Sequence, residues 1–182
     1  KVPPEANGFL LLVEASQKIV GSNPILQSTP PTKEQLENFV IANQEALQTV
    51  RKALSMPCVI PTEEAISEFI NPSIPPKPWM NPMFWHDLGR LLIAEGKLKE
   101  MEGKFDEAAQ SYTDAMKVGL KLRGGLTHHK LLAYPVMQMG QKPLVKLIPR
   151  LSAGTSTRIA NELLELLESE EPISFTFERE HM

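Results

Sequence analysis

Cysteine is nearly absent from this sequence: its 182 residues include one, Cys58. No disulfide can therefore form within the chain. No base is placed near this thiol in the sequence, so we expect a small buried hydrophobic side chain rather than a catalytic or redox group. Long apolar runs are also missing. The longest, residues 9–13, is far shorter than the ~20 residues that a transmembrane helix needs, so no membrane span is predicted.

Motifs of catalysis and metal binding are missing too. The sequence has no Gly-x-Ser-x-Gly nucleophile elbow, no phosphate-binding loop and no dinucleotide fingerprint. The adjacent His128 and His129 would point to different sides of a helix, which disfavours a shared metal ion. We therefore predict no enzyme activity, no cofactor and no metal site. A buried carboxyl group at Glu14 or Glu95 leaves a helical hydrolase as an alternative, which would need a strongly raised pKa in a deep pocket.

The composition that is present suits one folded, helical domain. Hydrophobic residues make up 42% and charged residues 23% of the chain, as in globular proteins of this length. Apolar residues recur with a helical period, and glycine and proline separate the recurring segments. Helices are predicted over residues 4–20, 32–56, 62–70, 82–102, 105–122, 126–139 with a kink at Pro135, 143–151, and 155–170 after a cap at Thr155 or Ser156. Thr32 and Gln35 have the spacing of a capping box. The predicted fold class is all-α, with about seven helices in stacked antiparallel hairpins around one core.

Two segments lack the helical period. Residues 71–82 hold five prolines, and they are either a polyproline ligand for a recognition module or, as we favour, a stiff crossover between helices. In the tail, residues 171–182, apolar and polar residues alternate from Ile173 to Phe177 as in a strand. The tail either docks as an extended segment or, as we favour, begins an element that a longer protein completes. The single predicted domain thus has N-terminal helices (4–70), the crossover, a hairpin with C-terminal helices (82–170) and the tail.

Small residues and one aromatic residue recur at fixed spacing in the predicted hairpin: Gly96, Gly103, Asp106, Glu107, Ala108, Tyr112 and Ala115. With this spacing, residues 89–122 resemble one tetratricopeptide repeat. The resemblance implies that Gly96, Ala108 and Ala115 let two antiparallel helices approach closely, while Tyr112 fills the seam between them. The sequence departs from the pattern at Lys99 and Leu120, where an aromatic residue and a proline are usual, and no second copy follows.

The first eight residues include Pro3, Pro4 and Gly8 and precede an apolar helix. They resemble the start of the mature part of exported bacterial helical proteins, in which a Pro-rich spacer follows a membrane anchor. That resemblance implies an extracytoplasmic location, with a cytoplasmic location as the alternative.

Charge is unevenly distributed, although the net charge is only −3. Residues 115–161 contain no Asp or Glu. Their basic residues are Lys117, Lys121, Arg123, Lys130, Lys142, Lys146, Arg150 and Arg158. A run of glutamates from Glu162 to Glu171 follows.

In one interpretation the acidic last helix packs on the basic segment and neutralises it. In the other, Lys117, Lys121, Arg123 and Lys130 form a surface for an anionic partner, such as lipid head groups or an acidic peptide. Nucleic acid is the least favoured partner, because Tyr134 is the one aromatic residue in the stretch and no recognition motif is present.

These features predict a non-catalytic module that presents a helical groove to a protein or peptide partner. The alternative is a structural, envelope-associated domain of a longer exported or membrane-anchored protein, with the basic stretch facing an anionic surface.

Overall fold

The computed structural model describes residues 3, 6–60, 82–123 and 127–168, which form an all-α fold without strands in those ranges. The seven α-helices of the described residues are α1 (Gly8–Gln17), α2 (Lys33–Ala42), α3 (Gln44–Leu54), α4 (Pro82–Met101), α5 (Phe105–Leu122), α6 (Thr127–Leu147) and α7 (Ala153–Glu168). Short 3-10 turns cover Pro24–Leu26 and Ile148–Arg150. The predicted all-α class is confirmed. The predicted helix 62–70, the crossover before Pro82 and the tail lie outside the described residues.

Helix α1 is shorter at both ends than the predicted span 4–20. It begins at Gly8 because the Asn7 side chain caps it, accepting a hydrogen bond from the Phe9 N–H at 3.1 Å. It ends at Gln17, and three residues later the Val20 N–H donates to Asn43 Oδ1 at 2.8 Å. The Val20 backbone is therefore bonded to a side chain distant in sequence, and the helix does not continue for another turn.

The predicted single helix 32–56 is in fact two helices, α2 and α3, divided at Asn43. The capping box at the start of α2 is confirmed, with Thr32 Oγ1 accepting from the Gln35 N–H and Gln35 Oε1 from the Thr32 N–H. At the division, the Asn43 backbone leaves helical geometry (φ −112°, ψ 19°). Its amide donates to the carbonyl oxygens of Val20 and Phe39. The apolar period continues across the break, so the pattern concealed it.

Helices α4 and α5 form the predicted hairpin. Gly103 lies between them with a positive φ of 75°, which favours glycine. The two helices end and begin within a residue or two of the predicted bounds. The hairpin carries much of the core: Trp85 is fully buried, and its ring lies 5.5 Å from that of Phe9 in α1.

The predicted elements 126–139 and 143–151 are one helix, α6, which continues through Pro135 and Pro143 to Leu147. Each proline removes a backbone hydrogen-bond donor and normally breaks a helix. Here close packing on α5 favours the continuous helix. A Cβ placed on Gly140 would lie 2.3 Å from the Tyr112 carbonyl oxygen, and one on Gly119 would lie 2.5 Å from Met137 Cγ.

Helix α7 begins at Ala153, before the predicted caps. Ser152 serves as the cap, because its Oγ accepts from the Thr155 N–H at 3.2 Å. Asp106 at the start of α5 holds Ser152 in place, accepting from its N–H at 3.1 Å and from its hydroxyl at 2.8 Å. The cap depends on a partner 46 residues away.

Candidate functional site

An apolar groove runs between α6 and α7, with α5 beneath it. Its volume is about 310 Å³, within the range of ligand sites. Its lining residues are Met116, Gln141, Leu144, Val145, Ile148, Leu151, Ser156, Ile159, Ala160 and Leu163. We call this feature the α6–α7 groove.

Three polar contacts hold α7 against α5. Ser152 bonds to Asp106 at one end. Further along, Arg158 donates to Gln110, and Lys117 donates to Glu162. The contacts advance in the same direction along both helices, so α7 runs parallel to α5.

Helix α6 runs the opposite way, because Gly140 packs on Tyr112 while Gly119 packs on Ala133 and Met137. The groove is therefore flanked by two antiparallel helices that both rest on α5. Its width follows from the close α5–α6 approach at these glycines and from the polar contacts that hold α7.

The face of α6 that forms one wall of the groove carries exposed apolar side chains toward its two ends, with the polar Gln138, Gln141 and Lys142 between them. Val145 and Ile148 are 56% and 52% exposed, and Leu131 and Tyr134 are 70% and 62% exposed. These positions are separated by three, eleven and three residues, which places them on one face of a helix. At 1.5 Å per residue, the two exposed apolar pairs lie within a length of about 26 Å.

Helix α7 also leaves apolar side chains in solvent. Leu164 and Leu167, which follow the groove residues Ala160 and Leu163 at helical spacing, are 55% and 46% exposed. Both flanks of the groove thus carry exposed apolar side chains beyond its enclosed part. Exposed apolar side chains grouped around a groove commonly mark an interaction site.

The two ends of the groove differ in charge. Exposed Lys142, Lys146 and Arg150 lie at the end near Ile148, where the Arg150 guanidinium also covers the ring of Phe105 at 5.1 Å. Exposed Glu165 and Glu168 lie toward the other end, on α7. An occupant with an acidic end would be oriented by this difference.

The four residues predicted to face an anionic partner lie on α5, at its C-terminal end and on α6. Lys117 is paired with Glu162 of α7, as the charge-neutralising interpretation expects. Lys121 Nζ donates to the Met56 carbonyl oxygen at 3.1 Å. Arg123 is the C-cap of α5, and Lys130 is in the first turn of α6. The first two lysines therefore make contacts within the fold, and the anionic surface stays a prediction.

The predicted hairpin residues meet at the α4–α5 seam. Ala108, Tyr112 and Ala115 are fully buried. A Cβ on Gly96 would lie 2.3 Å from Tyr112 Cε1, so the tyrosine ring lies directly on the glycine backbone. The Tyr112 hydroxyl donates to Glu100 Oε2 at 2.7 Å, and burial, together with this carboxylate, raises the pKa of the phenol.

A buried ionic cluster joins α3 to the hairpin, and sequence analysis did not predict it. Arg51 donates through Nη2 to Glu95 and through Nε to Asp114 Oδ2 at 3.3 Å. Glu95 also accepts from Ser111 at 2.7 Å and pairs with Lys99 at 3.4 Å. Arg51 is 44 residues from Glu95 and 63 from Asp114, so no local spacing signals the cluster.

The ionisation of this cluster suits a structural role. Burial alone would raise the pKa of Glu95, but the hydrogen bond and charge of Arg51, with Ser111 and Lys99, outweigh it and hold the pKa below the ordinary value. Burial raises the pKa of Asp114, whose oxygens accept from Gln110 and Arg51. Glu14, the other candidate acid, is exposed and pairs with Lys18.

No family model matches the chain, and comparisons with curated proteins and with solved structures give no match. The tetratricopeptide resemblance of residues 89–122 and the resemblance of the first eight residues to exported proteins stay predictions. Among the described helices none is long and apolar enough to cross a membrane. The described residues also contain no cluster of three potential metal ligands.

Proposed function

We propose that this protein is a non-catalytic interaction module whose α6–α7 groove binds a short peptide segment of a protein partner. The observation that carries the proposal is the groove itself, continued on both flanks by exposed apolar side chains. The expected occupant has two or three apolar residues along the groove and acidic residues at one end.

A peptide suits this site better than a small metabolite. The enclosed part is apolar, with Gln141 and Ser156 as its polar lining residues, so few groups would select a polar metabolite. The exposed apolar positions on α6 are spread over about 26 Å, the length of roughly eight extended residues or nearly five helical turns. Burying such side chains is a main source of affinity in peptide-binding grooves.

Charge supports the acidic end of the occupant. Lys142, Lys146 and Arg150 are exposed beside the groove, in a stretch of sequence without Asp or Glu. Carboxylates placed there would gain attraction and a defined direction of binding, and this part of the affinity should weaken with salt.

A selection from a random peptide library, with the full chain as bait, tests the proposal. Each selected peptide is then measured by fluorescence anisotropy against wild type, Val145→Asp and Ile41→Asp. Val145 is in the groove, whereas Ile41 is a similarly exposed residue of α2. We expect at least tenfold weaker binding to Val145→Asp, unchanged binding to Ile41→Asp, and peptides that carry apolar residues next to Asp or Glu. Peptides that bind Val145→Asp as tightly as wild type would overturn the proposal.

A second measurement separates this proposal from the envelope-associated alternative, in which an extracytoplasmic domain faces a membrane. Wild type and a Lys142→Glu, Lys146→Glu variant are sedimented with vesicles of phosphatidylglycerol and phosphatidylcholine. Peptide binding without vesicle binding supports the peptide module. Salt-sensitive vesicle binding that the variant loses, in a protein that selects no peptide, would replace it with the membrane-facing role.

A further inference from the structure

We infer that the partner segment bound in the α6–α7 groove is an amphipathic helix, with apolar side chains at positions i, i+3, i+4 and i+7 and acidic residues at one end. This inference rests on the proposed function. It adds the conformation and the side-chain pattern of the occupant of the same site.

The walls of the groove favour an occupant that pairs its own backbone groups. The peptide groups of α6 and α7 bond along their own helix axes, and the described residues contain no strand to which an extended segment could be added. Pro135 and Pro143 leave the carbonyl groups of Leu131 and Met139 without helical donors, but neither of these residues lines the groove. An extended occupant would leave backbone groups unpaired on its buried side, which is costly, whereas a helix pairs them internally.

The two walls of the enclosed part have the same length. Its lining residues run from Gln141 to Ile148 along α6 and the turn after it, and from Ser156 to Leu163 on α7. Each span is two helical turns, or about 10 Å. A helix places three or four apolar side chains along that length. An extended segment crosses it in about three residues and points at most two side chains inward. The helix therefore fills the apolar site more completely.

The packing of α6 and α7 on their inner side shows the geometry that a partner helix would adopt. There α5 lies against both helices, through the glycine contacts of α6 and the polar contacts of α7. Two neighbouring antiparallel helices leave a groove on their outer side as well, into which the side chains of another helix fit. Ala160 is exposed on the α7 wall, and its small side chain permits a close approach.

Exposed apolar side chains extend the contact beyond the enclosed part. Tyr134, Leu164 and Leu167 are exposed toward the end of the groove away from Ile148. Tyr134 and Ile148 are separated by 14 residues of sequence, or about 21 Å along a helix, so a partner helix of about 15 residues would cover both positions. Burial of these side chains would add to its affinity.

The charges around the groove orient this helix. Lys146 and Arg150 are exposed at the end near Ile148, whereas Glu165 and Glu168 are exposed toward the other end, on α7. A helix with its acidic residues at the Ile148 end meets opposite charges there, and the reverse direction would place them beside the carboxylates of α7. Like-charge repulsion disfavours that direction.

Two peptide display libraries of equal amino-acid composition test the conformation of the occupant. In one library, apolar residues occupy positions i, i+3, i+4 and i+7 of a segment of about 15 residues. In the other, apolar and polar residues alternate. Both are selected on the full chain, and the binders are measured by fluorescence anisotropy on wild type, Val145→Asp and Ile41→Asp. We expect the tightest binders to come from the first library, with binding about tenfold weaker or more to Val145→Asp and unchanged to Ile41→Asp.

The bound conformation is then measured on the tightest binder. A carbon-13-labelled peptide should show helical Cα chemical shifts when bound. Proline at a central, solvent-facing position of the peptide should weaken binding about 100-fold, because it breaks a helix. Serine at the same position is the control and should have little effect. Extended chemical shifts in a binder that Val145→Asp weakens, or tolerance of the proline, would overturn the inference and leave the proposed function standing.

Two further outcomes concern the site itself. If neither library gives a binder that Val145→Asp weakens, both the inference and the proposed function are overturned. Sedimentation velocity of the free protein tests a second copy of the chain as the occupant. We expect monomers of wild type and of Val145→Asp. A wild-type dimer that Val145→Asp dissociates would place a second copy in the groove and overturn the inference.

Discussion

Substituting Gly96 by alanine probes the closest approach between α4 and α5. The Cβ of the new residue would lie 2.3, 2.7 and 2.8 Å from three ring carbons of Tyr112. These distances are far below van der Waals contact. The ring is fully buried and its hydroxyl is bonded to Glu100, so it has little freedom to move aside.

The expected cost follows from two opposing effects. Overpacking of a buried seam typically costs about 1–3 kcal/mol, whereas alanine in a helix interior gains about 1 kcal/mol over glycine. We take the upper part of the first range because three ring atoms are in conflict at once. Gly96→Ala should then lower the free energy of unfolding by about 2 kcal/mol.

Removing the Tyr112 ring should reverse the sign of the effect that Gly96→Ala has on the free energy of unfolding. Tyr112→Ala alone should cost about 3 kcal/mol or more, because it empties a buried site. In that background the methyl group of Gly96→Ala has space, and the substitution should stabilise the protein by about 1 kcal/mol. The coupling energy of the pair is therefore about 3 kcal/mol, well above that of independent sites.

Urea unfolding followed by far-ultraviolet circular dichroism measures all four corners of this cycle. Gly154→Ala in α7 is the control, because no atom lies within 4 Å of a Cβ at that position; it should be neutral or slightly stabilising. If Gly96→Ala had the same effect on the free energy of unfolding with and without Tyr112, the close contact between the Tyr112 ring and Gly96 would be refuted. A cost below about 0.5 kcal/mol for Tyr112→Ala would place this residue on the surface.

Three further predictions concern buried and half-buried polar groups. Asn43→Ala should lower the free energy of unfolding by about 2 kcal/mol or more, since it leaves backbone groups of Val20 unpaired; a loss below about 0.5 kcal/mol in urea unfolding would contradict this. Glu95→Gln should lower the free energy of unfolding by about 1–2 kcal/mol at neutral pH. This is less than the loss of a fully buried ion pair would cost, because solvent screens the partly exposed Arg51. The folded-state pKa of Glu95 lies below its ordinary 4.5, so its contribution is present above that pH and is lost as the pH falls through the folded value. The difference between wild type and variant should therefore shrink in unfolding measurements at acidic pH, and a constant difference would oppose this assignment. Burial raises the pKa of Cys58 to about 11, so its reaction with Ellman's reagent near pH 8 should be about 100-fold slower in the folded than in the unfolded protein; equal rates would contradict it.

Local signals were sufficient where each helix end is set by residues next to it. The capping box at Thr32 and Gln35 is an interaction within one turn, and both of its bonds form. The turn at Gly103 needs a positive φ, which glycine supplies without a partner elsewhere. The α4–α5 hairpin was predicted closely for these reasons.

Local signals failed where a distant residue decides. Asn43 divides α2 from α3 through bonds to Val20, and Ser152 caps α7 while held by Asp106. The predicted separation of 126–139 from 143–151 is absent, because α6 continues through Pro143 on the surface of α5. In each case a tertiary partner outweighed the local preference of the chain.

The candidate site, too, could be predicted from the sequence only in part. The excess of basic residues in 115–161 is visible in the sequence, but it does not show that Lys117 is paired with Glu162 while Lys142 and Lys146 remain exposed. The groove has no sequence signature, since its lining residues look like ordinary core positions of amphipathic helices.

The sequence by itself determined that this protein is helical, which segments are apolar, and where small residues let two helices touch, because these properties depend on periods and spacings of a few residues. The tertiary structure decided which apolar faces are buried against each other and which stay open. The open face exists because α7 is held on α5 by contacts at Asp106, Gln110 and Lys117. No other described helix covers the exposed side of α6 in this placement, and such an arrangement depends on pairings between residues far apart in the chain.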